Sequence, residues 1–508
     1  MSEAASRPLG TLIAALEARG LLRTMLADGV EAPIGALPIR SVTADSRRVA
    51  PGDLFVAIPG QHSDGHDFVP VAVAQGAAAI IAERPFAGLG VPQLLVSGSR
   101  PALALAAAWW YGFPSEELGI IGVTGTDGKT TTSYLVRAML EACGLRTGVV
   151  GTIDVIVGGR ALGDSGRSTT PEAPQLQAHL AAMIGAGDRF AIVESTSHGL
   201  AQERVGAVAY DVALLTNVTH EHLEFHGTHE AYRAAKRRLF ERLAVTGGNP
   251  DKGWGKTGVL NRDDRWFEEF AGAVRGADAR LISYGADDAA DVRATRVEED
   301  ARRLRVGLRT RRWEGLLEVR LAGRFNVHNA LAAVAVGEAL KLDPVQMRAG
   351  LESLTQVPGR MERVDYGQPF GVIVDYAHSP EALAKVLDNL APLAAASGGG
   401  LVCVFGSAGE RDVQKRPMMG RIAAERCRLV IVTDEDPRGE DRLRILGQIA
   451  AGAEQAGKRR DQDLLLIPDR AVAIATALEL ARPGEVVLLA SKGNEQTTEV
   501  AECAIPWD

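Results

Sequence analysis

Cysteine is scarce in this sequence, and the four cysteines present form no recognisable pattern. Cys143, Cys403, Cys427 and Cys503 are scattered over 508 residues without CxxC spacing. Scattered thiols suit a reducing compartment and argue against a zinc site, whose ligands usually come in closely spaced pairs. We therefore expect a cytoplasmic protein.

Long apolar runs and blocks of positive charge are also missing. The amino terminus, MSEAASRPLGTLIAAL, has an acid at Glu3 and no long apolar stretch, which argues against a signal peptide and a membrane span. The net charge is -8 and no lysine/arginine block is present, so the electrostatic footprint of a nucleic-acid-binding protein is absent. The expected partners are small molecules, with no nucleic acid and no membrane.

The sequence does have the composition and rhythm of a soluble α/β protein. Its hydrophobic fraction is 46% and its charged fraction 24%, which are ordinary values for a globular chain. Apolar strands, such as residues 190–193 and 212–215, alternate with helical stretches, such as residues 174–184 and 229–243. This βαβ rhythm predicts doubly wound parallel sheets. A chain of this length has room for about three domains, which we place at residues 1–100, 101–355 and 356–508.

Residues 118–140 pass from an apolar strand through a glycine turn into an amphipathic helix. The turn places Lys129 and Thr130 at the start of the helix, where unpaired N–H groups and the helix dipole favour a phosphate. A strict Walker A motif has four residues between its first glycine and the Gly-Lys pair, whereas only two separate Gly125 from Gly128. We interpret the stretch as a shortened nucleotide phosphate loop. The alternative is an ordinary strand-turn-helix with a surface lysine.

Polar residues follow the predicted strands of the middle region. Residues 194–198 come after one strand and residues 216–222 after another, and the carboxyl ends of parallel strands are where sites cluster. Residues 45–47 and 60–66 are polar too, but taken alone each pattern is more typical of a solvated turn.

Three further stretches have plain structural interpretations. Residues 232–240 predict a basic helix face exposed to water. Residues 287–321 predict a charged β-meander, and residues 391–400 predict a flexible connection.

Several motifs occur together and in order, namely residues 125–131, 194–198, His222, Lys236, and residues 326–329, 359–362 and 375–378. On these motifs the chain resembles the Mur ligases, and most closely those of the MurE type. The resemblance implies a small α/β amino-terminal domain that holds UDP, a central P-loop-type ATPase and a Rossmann-like carboxy-terminal domain that holds the amino acid. It also implies peptidoglycan precursor synthesis in the cytoplasm, and we expect a monomer.

The implied reaction adds a diamino acid to UDP-N-acetylmuramoyl-L-alanyl-D-glutamate with ATP and Mg²⁺, through an acyl phosphate. Lys129 would neutralise the ATP phosphates, Thr130 and Glu194 would serve the magnesium ion, and His222 would serve a second metal. Lys236 would be carbamylated and so become an anion that binds or orients magnesium. The implied ATP-binding residues are Gly125, Thr126, Asp127, Gly128, Lys129, Thr130, Thr131, Asn326, Asn329, Arg360 and Asp375.

The resemblance also assigns residues to the other two substrates. Those for the UDP-sugar are Ser46, Gln61, His62 and Ser63, with Thr169, Thr170, Thr196, Gln202 and Arg204. Those for the amino acid are Arg411, Glu435, Asp436, Pro437, Arg438, Ser491 and Glu495.

Residues 435–438 occupy the position of the family's selector loop, which usually reads Asp-Asn-Pro-Arg in diaminopimelate enzymes and reads Glu-Asp-Pro-Arg here. Arg438 could clasp a distal carboxylate and would favour meso-diaminopimelate. Asp436 would repel that carboxylate and favour lysine or ornithine. The sequence leaves the choice open.

Two alternatives accompany this interpretation. The chain could be another amide ligase of the superfamily, such as a folylpolyglutamate synthetase or a ligase of a different Mur step. It could also be a nucleotide-binding regulatory or scaffold protein that keeps the fold without turnover.

Overall fold

The structure is a computed structural model that describes residues 6–27, 34–60, 63–163, 168–219, 223–245, 252–299, 303–501 and 503–507. The chain forms two compact units. The first comprises Met1–Arg293, Thr310–Trp313 and Leu331–Gly350, and the second comprises Ala294–Arg309, Glu314–Ala330 and Leu351–Asp508. No helix in the described part of the chain is long and apolar enough to cross a membrane. The division into three domains stays a prediction.

A five-stranded sheet forms the first part of the first unit. The elements here are β1 (Arg7–Pro8), α1 (Leu9–Ala18), β2 (Leu22–Leu26), β3 (Pro38–Ile39), β4 (Ser41–Thr43), β5 (Asp53–Val56), α2 (Val69–Ala74), β6 (Ala79–Ala82), β7 (Gln93–Val96) and α3 (Ser99–Trp110). The strand order is β2-β7-β6-β5-β4, with β4 to β7 parallel and β2 antiparallel to β7. Strands β5, β6 and β7 are buried along their whole length, as expected for parallel strands with both faces covered.

A larger, mainly parallel sheet follows. Its elements are β8 (Gly119–Thr124), α4 (Lys129–Ala142), β9 (Thr147–Val150), β10 (Val155–Val157), β11 (Arg160–Ala161), α5 (Ala173–Ala186), β12 (Phe190–Glu194), α6 (Ser197–Ala201), β13 (Val212–Leu215), α7 (Leu223–His226), α8 (His229–Val245), β14 (Thr257–Asn261), α9 (Phe267–Gly276), β15 (Arg280–Gly285) and β16 (Val292–Glu299). From one edge the order is β11-β10-β9-β12-β8-β13-β14-β15-β16, and two further strands described below continue the sheet beyond β16. Strands β9, β12, β8, β13, β14 and β15 are parallel, which confirms the predicted α/β class.

The register of this sheet brings three strand ends together. Glu194 at the end of β12 lies opposite Val123 of β8, and Leu215 at the end of β13 lies opposite Thr124. The loop between β8 and α4 therefore begins between the carboxyl ends of β12 and β13.

The chain continues with β17 (Leu304–Arg309), β18 (Glu314–Val319), α10 (Asn326–Ala339) and α11 (Pro344–Ser353). Strands β17 and β18 form an antiparallel hairpin from Leu304↔Val319 to Arg309↔Glu314. The predicted charged strands of residues 287–321 are thus confirmed.

A six-stranded sheet organises the second unit. Its elements are β19 (Glu362–Val364), β20 (Gly371–Val374), α12 (Pro380–Ala396), β21 (Leu401–Phe405), α13 (Lys415–Arg426), β22 (Leu429–Val432), α14 (Arg442–Gln455), β23 (Leu464–Leu466), α15 (Arg470–Leu480), β24 (Val486–Leu489), β25 (Thr497–Val500) and β26 (Cys503–Pro506). The order is β19-β20-β24-β21-β22-β23, and only the edge strand β19 is antiparallel to its neighbour. Strands β25 and β26 form a separate hairpin.

The prediction of a flexible connection over residues 391–400 was wrong in its first half. Helix α12 continues to Ala396 with Pro392 inside it. Leu387, Leu390 and Ala394 lie on its buried face within the apolar core of the second unit. Burial of that face outweighs the local cost of an internal proline.

Helices α13 and α14 approach closely at two glycines. A Cβ atom on Gly452 would lie 1.9 Å from the carbonyl oxygen of Pro417, and one on Gly420 would lie 2.0 Å from that of Ile449. A Cβ atom on Gly447, also in α14, would have no heavy atom within 4 Å. Gly452 and Gly447 therefore share a helix and differ in the space around them.

We predict that Gly452→Ala destabilises the protein, because the methyl group would force α13 and α14 apart at a cost of about 1–3 kcal/mol. Gly447→Ala is the matched control and should be neutral or slightly stabilising, because alanine favours helix over glycine by up to about 1 kcal/mol. Thermal unfolding of both variants measures the difference. Equal midpoints for the two variants would contradict the close-packing account.

Candidate functional site

The phosphate loop is held by the strand beside it. Gly125 has φ 147° and Gly128 has φ 81°, conformations that glycine adopts without strain. The backbone N–H of Thr126 donates to the carbonyl oxygen of Asn217 at 2.8 Å, and that of Asp127 donates to the Asn217 side chain at 3.0 Å. The Thr216 hydroxyl donates to the Asp127 carbonyl at 2.6 Å. The residues after β13 thus shape the loop; the sequence had placed Thr216 and Asn217 at a strand end where sites cluster, without assigning them a role.

Two lysines converge on one carbonyl group of this loop. Lys129 Nζ donates to the carbonyl oxygens of Gly125 at 3.1 Å and Thr126 at 2.8 Å. Lys236 Nζ donates to the same Gly125 oxygen at 2.7 Å and lies 4.4 Å from the ring centroid of Tyr232. Lys236 is only 2% exposed, so the interpretation of residues 232–240 as a wholly exposed basic face was wrong at this position. The sheet and α8 together bury it.

A carboxylate and two hydroxyl groups meet beside the start of α4. Glu194 Oε2 accepts hydrogen bonds from the hydroxyls of Thr130 at 3.2 Å and Thr152 at 2.9 Å. Thr152 was missed in the sequence, and its position just beyond the end of β9 was the available signal. Glu194 is fully buried.

These oxygen atoms fit a magnesium ion, which takes oxygen ligands and keeps several from water and phosphate. Among the described residues no group of three or more histidine, cysteine or acidic side chains is arranged to hold a metal ion. His222, the predicted second metal residue, lies outside the described residues.

The candidates for the UDP-sugar in the middle region lie together. The Thr170 hydroxyl donates to the Glu194 carbonyl at 2.7 Å and pairs with the Thr196 hydroxyl at 3.0 Å. Arg204 donates to the Thr170 carbonyl at 2.8 Å and to Gln202 Oε1 at 2.7 Å. Two further contacts extend the cluster: Arg204 with Ser168, which the sequence had missed, and Thr169 with Thr152.

The candidates from the first hundred residues are less completely described. Ser46 begins a short 3₁₀ turn, and the Asp45 carboxylate caps that turn by accepting from the Arg47 N–H. The carbonyl oxygen of Ser63 accepts from the N–H of Gly60 at 3.0 Å. Gln61 and His62 lie outside the described residues. A role for these four candidates in UDP binding stays a prediction.

In the second unit, the predicted adenine, ribose and phosphate contacts are locally ordered. Asp375 accepts N–H bonds from Met361 and Ala377, each at 2.8 Å. The Arg360 guanidinium lies over the Tyr376 ring, 4.7 Å from its centroid. Asn329 Nδ2 donates to Asn326 Oδ1 at 2.8 Å, near the start of α10.

The amino-acid candidates gather at the carboxyl ends of β20, β22 and β24. Lys492 Nζ donates to Asp436 Oδ1 at 2.8 Å and to Glu495 Oε2 at 3.0 Å, and the Tyr376 hydroxyl donates to Glu495 Oε1 at 3.2 Å. Lys492 is 1% exposed. The sequence had not identified it as functional.

The remaining candidates for this pocket have different surroundings. Ser491 has φ 83°, and its hydroxyl donates to the Gly406 carbonyl at 3.1 Å. Arg411 is exposed. Arg438 pairs with Glu499 across 2.9 Å, from Nε to Oε2, and the carbonyl oxygen of Pro437 accepts from the Glu440 N–H at 3.1 Å.

Burial perturbs the titration of several groups in this pocket. The pKa of Glu435 is raised to about 7, chiefly because burial penalises its charged form, and Lys415 opposes the rise. Burial likewise raises the pKa of Glu495 and lowers the pKa of Arg470. The pocket therefore contains carboxyl groups poised to gain a cationic partner.

We predict that Glu435 makes the stability of the protein fall as pH rises. Its folded pKa of about 7 lies above the ordinary value of 4.5, so the folded state holds the proton more tightly. The resulting stability is present below about pH 4.5 and is lost progressively towards pH 7, by on the order of a few kcal/mol. Unfolding midpoints measured between pH 4.5 and 7.5 should show this fall in the natural protein and a smaller one in Glu435→Gln. Identical slopes would contradict the assignment.

We also predict that Gly125→Ala abolishes nucleotide binding. A Cβ atom there would lie 1.9 Å from the Thr216 hydroxyl oxygen, and the residue has positive φ, so the loop would have to move. ATP binding measured by calorimetry should weaken by about 100-fold or more, which corresponds to roughly 2.7 kcal/mol. Gly272→Ala in α9, where the added atom has nothing within 4 Å, should bind normally. Unchanged binding by Gly125→Ala would reject the loop as the phosphate site.

Three family models match the chain in order. They are the catalytic domain of the Mur ligase family over residues 38–107, the Mur ligase middle domain over residues 123–337, and the Mur ligase glutamate ligase domain over residues 359–493. Together they take in all the candidate residues except Glu495.

Individual proteins are similar over nearly the whole length. A UDP-N-acetylmuramyl-tripeptide synthetase of Roseiflexus sp. (strain RS-1) is 48% identical over 480 residues, 92% of each chain. A UDP-N-acetylmuramoyl-L-alanyl-D-glutamate–2,6-diaminopimelate ligase of Geobacillus kaustophilus (strain HTA426) is 40% identical over 92% of this chain and 93% of its own. A solved structure of a ligase with the same diaminopimelate name superposes with a TM-score of 0.65 at 29% identity, covering 94% of both chains.

Proposed function

Because the chain belongs to the Mur ligase family, we propose that it is an ATP-dependent amide ligase that joins a diamino acid to UDP-N-acetylmuramoyl-L-alanyl-D-glutamate. The observation that carries this proposal is the 40% identity, over 92% of the chain, to a ligase named for this substrate. The product would be a precursor of peptidoglycan, made in the cytoplasm. The corresponding domains would be residues 1–100 for UDP, 101–355 for ATP and 356–508 for the amino acid.

The reaction has to turn a carboxylate, which is a poor electrophile, into a good one. A carboxylate oxygen of the D-glutamate residue attacks the γ-phosphorus of ATP, and the bond to the β-phosphate oxygen breaks to release ADP. The amino group of the diamino acid then attacks the acyl carbon, loses a proton, and expels inorganic phosphate. Both steps bring anions together, so the site must supply positive charge and alignment.

The phosphate loop would supply both. Its N–H groups at the start of α4 would donate to the phosphates. The Lys129 ammonium, which holds loop carbonyls at 2.8 and 3.1 Å, would exchange them for phosphate oxygens. The Thr130 hydroxyl and the Glu194 carboxylate, already 3.2 Å apart, would hold a magnesium ion, and His222 would serve a second metal. Magnesium, when bound, would neutralise part of the phosphate charge.

Lys236 would act as a carbamate. Its uncharged amine adds to carbon dioxide, a proton leaves, and the cation becomes an anion that can orient the metal. The support for this step is its position: the ammonium is buried beside the loop, 2.7 Å from the Gly125 carbonyl and close to a second lysine that binds the same oxygen. Two cations at one carbonyl repel each other, and carbamylation would replace that repulsion by attraction.

The hydroxyl-rich cluster around Arg204 would bind the UDP-sugar. The arginine guanidinium and the threonine hydroxyls are suited to bind a diphosphate and its sugars. The Thr170 hydroxyl also donates a hydrogen bond to the backbone carbonyl of Glu194. This arrangement would place the sugar within reach of the phosphate loop, so that the D-glutamate residue could extend towards the γ-phosphate. In the second unit, Arg360, Asp375 and the two asparagines would contribute adenine, ribose and phosphate contacts.

The decisive experiment measures phosphate release from ATP with UDP-N-acetylmuramoyl-L-alanyl-D-glutamate and, separately, lysine, ornithine and meso-diaminopimelate. We expect release with at least one of these amino acids and none when the UDP-dipeptide is omitted. Lys236→Ala should lower the rate by about 100-fold or more, whereas Lys385→Ala, on the exposed face of α12, should match the natural protein.

No release with any of the three amino acids would reject the proposed ligase and favour a nucleotide-binding protein without turnover. Release with the natural protein and full activity of Lys236→Ala at ambient carbon dioxide would reject only the carbamate.

A further inference from the structure

The carboxy-terminal hairpin of β25 and β26 lies directly against the selector loop. The N–H of Arg438 donates to the Glu499 carbonyl at 3.0 Å, and the N–H of Ala501 donates to the Arg438 carbonyl at 2.8 Å. These backbone bonds form a short parallel bridge between Arg438 and Val500. Glu499 is therefore fixed beside the loop by main-chain contacts that do not depend on its side chain.

The same residue engages both charges of the loop. The Glu499 carboxylate pairs with the Arg438 guanidinium at 2.9 Å, from Oε2 to Nε, and the two side chains are only 25% and 22% exposed. The Glu499 N–H donates to Asp436 Oδ1 at 2.9 Å, and Lys492 donates to that oxygen at 2.8 Å. The two opposing charges at residues 436 and 438 are thus both compensated within the chain.

On the basis of the proposed ligase function, we propose that Glu499 is a specificity-determining residue: its carboxylate occupies Arg438 and makes the pocket favour lysine or ornithine over meso-diaminopimelate. A distal carboxylate that approaches Arg438 either displaces Glu499 from this ion pair or lies beside its negative charge. Contact between the substrate carboxylate and the Glu499 carboxylate in this partly buried environment would weaken binding, because like charges repel.

The other cations of the pocket are also engaged. Lys415 donates to the His378 carbonyl at 2.9 Å, Arg470 donates to the carbonyls of Asp434 and Ala490 at 3.2 and 2.7 Å, and Lys492 holds Asp436 and Glu495. A substrate carboxylate would therefore compete with an existing partner at each of them. Arg411 is exposed, so water would screen an ion pair between it and a substrate carboxylate.

The pocket does offer an acceptor for a terminal ammonium. Glu435 is 8% exposed, and within the described residues its Oε2 accepts no hydrogen bond. Burial is the main cause of its raised pKa of about 7, and the neighbouring Glu495 and Asp436 contribute in the same direction. An ammonium group placed there would pair with the Glu435 carboxylate at the oxygen that accepts no other hydrogen bond. Such a pair stabilises a buried carboxylate more than an exposed one, because an unpaired buried charge is costly.

The experiment compares kcat/KM for lysine, ornithine and meso-diaminopimelate among four proteins: the natural chain, Glu499→Gln, the double variant Glu499→Gln/Arg438→Gln, and Glu454→Gln as control. Glutamine keeps the size of the side chain and leaves the backbone bonds of residue 499 in place. Glu454 pairs with Arg460 at 2.6 Å on the surface of the same unit, so its variant tests the loss of an ordinary ion pair.

We expect the natural chain to prefer lysine or ornithine by about tenfold or more. Glu499→Gln should raise kcat/KM for meso-diaminopimelate relative to lysine by about tenfold, because Arg438 becomes available. The double variant should lose that gain, and Glu454→Gln should keep the natural ratio. If Glu499→Gln is unstable at the assay temperature, Glu499→Asp, whose carboxylate reaches less far, should shift the ratio in the same direction by a smaller factor.

A natural chain that prefers meso-diaminopimelate overturns this inference and leaves the ligase function intact. An unchanged ratio in Glu499→Gln, or a gain that persists without Arg438, also overturns it. Failure of the natural chain to release phosphate with any of the amino acids is a separate result, because it rejects the ligase function on which the inference rests.

Discussion

The carbonyl oxygen of Gly125 accepts hydrogen bonds from two lysine ammonium groups. The positions of α4 and α8 in the first unit make both contacts possible. Lys129 reaches it from the start of α4 and Lys236 from the middle of α8. A buried cation is costly without a partner, so the loop, the helix and the neighbouring strand ends have to keep a fixed geometry. The parallel register that places Glu194 beside Val123 provides it, and it also brings a carboxylate to the first turn of α4. Positive and negative groups thus lie close together in one small region, which is the arrangement that the proposed phosphoryl transfer would need.

In the second unit, too, buried charges have partners within the chain. Its pocket contains many charges, and most are paired with one another: Asp436 and Glu495 with Lys492, and Arg438 with Glu499. Such pairing offsets the free-energy cost of burying charges, and it also decides which charges a substrate can use. In the proposed ligase, selectivity for the amino acid would then depend on the partner that each charged side chain already has, as well as on which residues line the pocket.

Much of the fold could be predicted from the sequence because parallel strands that are buried on both faces appear in it as continuous apolar runs. Residues 190–193 and 212–215 appear as β12 and β13 with almost the same bounds. The stretch at residues 391–400 was misread, because alanine and proline in sequence do not reveal that Leu390 and Ala394 pack into a core. The solvent exposure of Lys236 was predicted wrongly for a related reason. A basic helical sequence does not reveal that one of its lysines packs against a distant part of the chain.

The sequence by itself determined the α/β class, the family and the glycine turn that begins α4, because each rests on local periodicity or on motifs of a few adjacent residues. Tertiary structure decided which side chains meet. Thr152 joins Glu194 across 42 positions of the chain, Thr216 supports the loop from 89 positions away, and Glu499 reaches Arg438 from the last hairpin. No local pattern encodes such contacts, since they arise when strand order and register bring distant segments together. The choice between the charges of Asp436 and Arg438, which the sequence left open, depends on such a contact.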